Sequence, residues 1–162
     1  MNVVTRADLQ EVKEIQVLEE KWGLPLMEAG WTVIPSVILQ RQQALRLDPV
    51  DVNIVLHLLR HWWKPTKLPY PSKATIAQCI GRSESIVQKR IAAMEKRGLI
   101  KRKPRYYPLH HGQTTNEYDL NGLIKEATEL AKQELAARAQ RKKEDSKRRI
   151  SRLTVITTKS AN

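Results

Sequence analysis

The 162-residue sequence contains no phenylalanine and only one cysteine, Cys79. One cysteine excludes an intramolecular disulfide and a cysteine-based zinc site, and its position between Ile76 and Ile80 predicts a small, partly buried side chain. No run approaches the roughly 18 apolar residues of a membrane-spanning helix, and the N-terminus lacks the apolar core of a signal peptide. We therefore expect a cytoplasmic protein with no membrane partner and one modest core.

The sequence also lacks the sets of residues that form common catalytic sites. His57 and His61 have the spacing of a two-histidine metal pair, but no acidic residue lies between them and no third ligand is placed. His110 and His111 lie beside Gly112, where they would meet phosphate or solvent. The sequence has no glycine-rich phosphate loop, no nucleophile elbow and no carboxylate cluster for two-metal phosphoryl transfer. We expect no enzyme activity, no metal and no cofactor.

The charge is strongly one-sided. Lys and Arg number 29 against 17 Asp and Glu, which gives a formal net charge of +12. Residues 1–70 hold eight basic and eight acidic residues, so the excess falls in residues 71–162, with 21 basic against nine acidic. Merely solvated surfaces mix the two signs, whereas this asymmetry predicts a surface that binds a polyanion. Duplex phosphates fit, because their neutralisation releases counterions.

The most specific pattern lies in residues 72–119, which predict a short helix, a tight turn, a second helix and a basic β-hairpin. Ser72 can cap a helix through Ile80, and Gly81 permits the positive φ that a sharp turn needs. Ser83 then caps a second helix. Three residues at helical spacing give that helix one buried face: Val87, Ile91 and Met94.

The opposite face of the second helix is predicted to be exposed. Its residues are mostly polar: Ser85, Gln88, Lys89, Ala92 and Lys96. Gly98 ends the helix, and Leu99–Tyr107 is β-compatible and heavily basic. A helix that is polar outward and followed by a basic hairpin fits the major groove of duplex DNA.

The segment PSKATIAQCIGRSESIVQKRIAAMEKRGLIKR resembles the winged helix-turn-helix of GntR- and MarR-type regulators. It is closer still to the N-terminal winged helices of plasmid and phage replication initiators, which share the approach P-S-x-x-T-I-A. The resemblance covers about residues 34–120 and rests on four features: Ala77 inside the first helix, Gly81 at the turn, Ser83 opening the second helix, and the exit Met94-x-x-x-Gly98-Leu99-Ile100. Met94 stands where relatives usually have leucine, and Arg90 where they often have a small or apolar residue.

These observations predict a mainly α fold with a small β-wing, a winged helix-turn-helix with extra terminal helices. The residues expected at base edges are Ser85, Gln88, Lys89 and Ala92. Those expected at the DNA backbone are Lys73, Arg82, Ser83 and Lys96. The wing is expected to contribute Lys101, Arg102, Lys103, Arg105 and Tyr106.

Residues 31–63 are expected to form the supporting body. Pro35 and Ser36 begin a predicted helix that reaches Leu45 or Leu47. Asp48 caps the next helix, with Pro49 at its first position; this helix, VDVNIVLHLLRHWW, is apolar enough to centre the core. The following loop, KPTKLPYP, has three prolines and cannot be helical.

The two ends of the chain predict helices that need a partner. Residues 5–21 form a helix with a narrow apolar stripe, followed by a connector to residue 30. Asn121 or Asp119 opens a long helix that runs towards residue 140 or beyond. A homodimer through these helices is expected, with an intramolecular clasp as the alternative. The interface residues are Leu9, Val12, Leu18, Leu123, Leu130 and Leu135.

A basic tail occupies residues 141–162. Residues 138–152 hold eight Lys and Arg against two acidic residues and either prolong the helix or form a disordered arm. The later segment RLTVITT is β-prone.

The preferred interpretation is a dimeric, repressor-like transcriptional regulator that binds specific double-stranded DNA. It would be nucleoid-associated and of prokaryotic, phage or plasmid type. One alternative is a plasmid or phage replication-initiation or maintenance protein, with a replication partner. The other is a non-enzymatic subunit that holds protein or RNA in a larger assembly.

Overall fold

The computed structural model of the chain describes residues 6–106, 112 and 114–159, with side chains from residue 13 to residue 149. The chain divides into two compact units, residues 1–34 and 35–162. Tyr107, His110 and His111 lie outside the described residues. Among the helices that are described, none has both the length and the hydropathy needed to cross a bilayer.

The first unit contains helices α1 (Arg6–Trp22) and α2 (Leu24–Glu28). The sequence predicted α1 within one residue but treated the stretch after it as a connector. Helix α2 forms there because Pro25 occupies its first turn, where a missing amide proton costs nothing. Gly23, with φ of 79°, provides the bend between the two helices.

The second unit is mainly helical with a small β-wing, as predicted. Its elements in chain order are α3 (Ser36–Gln40), α4 (Pro49–Arg60), α5 (Lys73–Ile80), α6 (Glu84–Lys96), β1 (Lys101–Lys103), β2 (Glu117–Asp119) and α7 (Asn121–Lys159).

Helix α3 is shorter than predicted. It ends at Gln40, and residues 41–46 form successive turns that finish at Arg46, whose φ is +55°. The Leu47 amide donates to the Gln42 carbonyl at 2.9 Å, a six-residue closure like that of a helix C-cap. Leu45 is nevertheless buried, so the apolar pattern was correct and only the helix length was wrong.

Helix α4 supports the domain from within. The Asp48 carboxylate accepts from the amides of Val50 and Asp51 at 2.8 and 2.9 Å, and Asp51 completes a capping box. The core that surrounds α4 draws on every helix of this unit and on β2: Ile38, Leu45, Ile54, Val55, Leu58, Ile76, Val87, Ile91, Met94, Tyr118 and Leu123.

The wing consists of two antiparallel strands with Lys101 opposite Asp119 and Lys103 opposite Glu117. Strand β1 stops at Lys103, short of the predicted β-compatible stretch, because Pro104 cannot donate to the ladder. The Tyr118 amide donates to the Pro69 carbonyl at 2.9 Å, which ties β2 to the loop before α5.

The start of α7 lies directly against the turn that follows α6. A Cβ atom at Gly122 would fall 1.8 Å from the Gly98 carbonyl oxygen, so only glycine fits there. The Leu123 amide donates to the Leu99 carbonyl at 2.8 Å, and Leu123 itself is only 2% exposed. The expectation that Leu123 is available to a second subunit is therefore wrong, because its own domain already covers it.

One further prediction is corrected. Cys79 is exposed rather than partly buried, because α5 buries only the side that carries Ile76 and Ala77. The segment RLTVITT, which the sequence showed only to be β-prone, lies within α7. Extension of an existing helix avoids the free-energy cost of helix nucleation. A β-prone segment without a neighbouring strand has no sheet to pack in, so its β-propensity does not stabilise it.

Candidate nucleic-acid interface

The helix-turn-helix is fixed by the caps that the sequence predicted. The Ser72 hydroxyl accepts from the Thr75 amide at 2.9 Å, and Gly81 adopts a left-handed conformation with φ of 63° and ψ of 39°. The Ser83 hydroxyl accepts from the Ile86 amide at 3.3 Å and opens α6. These local bonds set the direction in which α6 leaves the turn.

Helix α6 separates its two faces cleanly. Val87, Ile91 and Met94 are fully buried against the domain. The five residues predicted to lie opposite are all exposed: Ser85, Gln88, Lys89, Ala92 and Lys96. The structure therefore brings the predicted base-reading residues together on one open helical face.

A buried carboxylate holds this helix in place. Asp51 is completely buried, and Arg90 donates to it twice, from Nε at 2.8 Å and from Nη2 at 2.5 Å. Arg97 adds a third bond at 3.1 Å, and the Asp51 hydrogen bond raises the pKa of Arg90. A paired, bidentate arginine fixes both the rotation and the axial position of α6 on α4. Sequence reasoning missed this contact, although Arg90 at a normally apolar position and an aspartate on the core helix were both visible signals.

Lys73 lies across the N-terminal half of the same exposed face. Its ammonium group donates to Gln88 Oε1 at 2.8 Å and is 4.0 Å from the Glu84 carboxylate. Glu84 was not among the predicted site residues, yet it places one acidic group at the edge of a basic surface. Gln88 is thus held by Lys73 in the free protein.

The cations of the wing are mostly paired with carboxylates. Arg102 donates from Nε to Glu95 Oε2 at 2.7 Å. Lys103 lies 3.0 Å from the Asp119 carboxylate, and Arg105 lies 3.6 Å from the Glu117 carboxylate. The Arg102 hydrogen bond lowers the pKa of Glu95. The pKa of Asp119 is lowered first by the backbone amide of residue 121 and then by Lys103. These three cations brace the wing and are not simply free charges.

Four other predicted contact residues are exposed cations: Arg82, Lys89, Lys96 and Lys101. None of them forms an ion pair with any residue that the structure describes. Tyr106 is also exposed, at the outer end of the wing. These four cations, unpaired within the described residues, lie along α6, its preceding turn and the first residue of β1.

The predicted histidine pair lies at the C-terminal end of α4, with His57 in its last turn and His61 as its C-cap. Burial, and then the neighbouring Arg60, lower the pKa values of His57 and His61. Within the described part of the chain, no three histidine, cysteine or acidic side chains are grouped as metal ligands would be.

Comparison with known proteins finds a similarity in the central part of the chain. Residues 45–100 match the family model described as a helix-turn-helix domain, a range that contains α4, α5 and α6 in full. One similar solved structure is a "possible transcriptional regulator" from Methanosarcina mazei Go1. It has 17% sequence identity and a TM-score of 0.42, over 67% of this chain and 85% of that one. No curated protein matches the chain.

Proposed function

We propose that this chain, which carries a winged helix-turn-helix domain, is a repressor-like transcriptional regulator that binds specific double-stranded DNA. The observation that carries the proposal is the exposed polar face of α6, held rigidly by Asp51 and lined by cations without carboxylate partners. A helix presented in this way can enter the major groove, where each base pair displays a distinct pattern of donors and acceptors.

The contacts to bases are proposed to come from the exposed face of α6. The proposed readers are Ser85, Gln88, Lys89 and Ala92. A glutamine can form two hydrogen bonds with adenine, at N6 and N7, and a lysine can donate to the acceptors of guanine. The methyl group of an alanine can contact the methyl group of thymine. Because Lys73 holds Gln88 in the free protein, reading by Gln88 requires Lys73 to exchange this bond for a phosphate.

The backbone contacts divide into two groups. Lys73, Arg82, Ser83 and Lys96 are proposed to hold phosphates beside α6 and its turn. In the wing, Lys101 and Tyr106 have exposed side chains, whereas Arg102, Lys103 and Arg105 would have to share their carboxylate partners with the DNA.

We further propose that the protein acts as a homodimer through its terminal helices. From residue 135 to residue 149 every side chain of α7 is exposed, and Leu135 is 61% exposed. A helix without packing is marginal in water, so this part of α7 favours a partner. Leu130 and Leu135 would form its interface, together with the α1 stripe of Leu9, Val12 and Leu18.

Selection of bound duplexes from a random pool tests the DNA proposal. A dimeric regulator should enrich a palindrome with half-sites near multiples of a helical turn. Enrichment of direct repeats would instead favour the replication-initiation alternative, and failure to enrich any sequence would favour an assembly subunit. The Gln88→Ala variant, carried through the same selection, should lose preference at one base position.

Light scattering at tens of micromolar tests the dimer. The wild-type chain should scatter as a dimer and Leu135→Glu as a folded monomer, with Gln133→Glu as the matched exposed control on the same helix. A monomeric wild-type chain, both free and on DNA, would overturn the dimer and leave the DNA-binding proposal intact.

A further inference from the structure

A pocket of about 330 Å³ is lined by none of the residues proposed to contact duplex DNA. It is formed by the end of α4, the proline-rich loop and the start of α5. Its lining residues are His61, Trp63, Lys64, Lys67, Leu68, Tyr70, Pro71 and Thr75. This volume is at the lower end of the range for small-molecule sites, so it suits a small planar group.

The walls of the pocket include two aromatic rings that are open to solvent. Trp63 is 81% exposed and Tyr70 is 39% exposed. The Arg105 guanidinium lies 4.0 Å from the Tyr70 ring centroid, and the Lys67 ammonium group lies 6.0 Å from it. An indole with so little of its surface covered offers a flat stacking surface, and the adjacent cations favour an electron-rich or anionic ligand.

The charge around the pocket has one sign. A tight turn, closed by the Lys67 amide donating to the Lys64 carbonyl at 3.0 Å, places the two lysines side by side. Neither lysine forms an ion pair with a described residue, and the described lining contains no acidic residue. Two lysines, unpaired within the described residues, therefore stand beside the aromatic surface of the pocket, which suits a ligand with successive anionic groups better than one with a single carboxylate. Arg105, which lies over Tyr70, is already paired with Glu117 and is not counted with them.

The pocket is continuous with the helix-turn-helix. Thr75, which lines it, shares a hydrogen bond of 2.7 Å with the hydroxyl of Ser72, the cap of α5. The next residue, Lys73, contacts Gln88 on the exposed face of α6. Side-chain contacts of Thr75 and Lys73 therefore link the start of α5 both to the pocket and to α6.

We propose that this pocket binds an unpaired nucleotide of single-stranded DNA, with its base stacked on Trp63 and the neighbouring phosphates held by Lys64 and Lys67. Stacking on an aromatic side chain accepts any base, and a basic groove follows the backbone, so the site has the chemistry of single-strand binding without sequence preference. This activity goes beyond duplex recognition and does not depend on it.

Fluorescence anisotropy with a labelled short oligothymidylate tests the proposal on the full chain. Trp63→Ala should weaken binding roughly ten-fold, as expected for the removal of one stacked base. Trp31→Ala is the matched control, because Trp31 is also highly exposed but belongs to the N-terminal unit. An abasic oligonucleotide of the same length should bind the wild-type chain and Trp63→Ala alike.

A second variant tests the electrostatic half of the site. Lys64→Ala combined with Lys67→Ala should reduce the salt dependence of oligothymidylate binding by roughly 0.7 in log–log slope for each phosphate that is no longer bound. Equal binding by the wild-type chain and Trp63→Ala, or an unchanged slope in the double-lysine variant, would overturn the proposal.

Free thymidine monophosphate and benzoate distinguish a bound strand from a bound small molecule. Both offer planar anionic chemistry without a strand, so they should bind far more weakly than oligothymidylate. Binding of either one as tightly as oligothymidylate would overturn the single-strand assignment in favour of a small ligand.

The selected duplex is measured in parallel with the oligothymidylate. The wild-type chain should bind both, and Trp63→Ala should retain the duplex affinity. Absence of duplex specificity in the wild-type chain, with Trp63-dependent oligothymidylate binding retained, would reject the regulator proposal and keep the single-strand site.

Discussion

Helix α6 and the wing are both rich in cations, but these cations have different neighbours. On α6 and its turn, Arg82, Lys89 and Lys96 are exposed and form no ion pair within the described residues, while Arg90 is bound to a buried carboxylate. In the wing, every basic residue from 102 to 105 is paired with a partly exposed acid. The charge of a segment therefore does not reveal its role. The neighbours of each cation decide whether it braces the fold or remains available to DNA.

The largest loss of stability should follow removal of the carboxylate that holds α6. Asp51→Ala leaves Arg90 and Arg97 without their buried partner and should lower the free energy of unfolding by about 3 kcal/mol or more. Glu117→Ala, which removes a partly exposed partner from the wing, should cost less than about 1 kcal/mol. Urea unfolding at neutral pH measures both. Equal decreases would show that the two regions are braced alike.

The next effect separates base reading from backbone contact. Gln88→Ala or Lys89→Ala should cost about 1–3 kcal/mol of binding free energy on the selected duplex and relax its specificity. Lys103→Ala should weaken all duplexes about equally and by less, because Asp119 already shares its charge. Binding titrations on the selected duplex and on point-substituted duplexes measure this difference. A uniform decrease for all three variants would mean that the exposed face of α6 does not read bases.

The sequence predicted the regular part of this fold and site, because those features depend on local chemistry. The caps at Ser72 and Ser83, the left-handed Gly81 and the buried face of α6 all follow from residues within one or two turns of each other. The Asp51–Arg90 pair joins residues 39 positions apart, so spacing alone could not reveal it. The pairs Lys103–Asp119 and Arg105–Glu117 also depend on how the two sides of the wing face each other, which was unknown before the strands were placed.

A smaller effect concerns salt. Lys96→Ala should reduce the log–log salt slope of duplex binding by about 0.9, the value for one phosphate contact. Arg102→Ala should reduce it by clearly less, since Glu95 neutralises that guanidinium in the free protein. Affinities measured from low to moderate salt give both slopes. A larger decrease for Arg102→Ala than for Lys96→Ala would contradict the distinction between paired and unpaired cations.

The smallest effect should distinguish the histidines at the end of α4 from the acids that pair with wing cations, through the pH dependence of stability. Burial lowers the pKa values of His57 and His61 on α4 from 6.5, so the unfolded chain binds more protons just below that value. Stability should therefore decrease as the pH falls below about 6.5. The carboxylates that pair with wing cations, Glu95 of α6 and Asp119 of β2, also have lowered pKa values, from 4.5 and 3.8, so their contribution is retained until the solution is far more acidic. Urea unfolding at about pH 7.5 and about pH 5.5 should show a decrease in the wild-type chain that is reduced when both histidines are replaced by glutamine. Greater stability of the wild-type chain at the lower pH would contradict this, because a lowered histidine pKa can only destabilise the folded state on acidification.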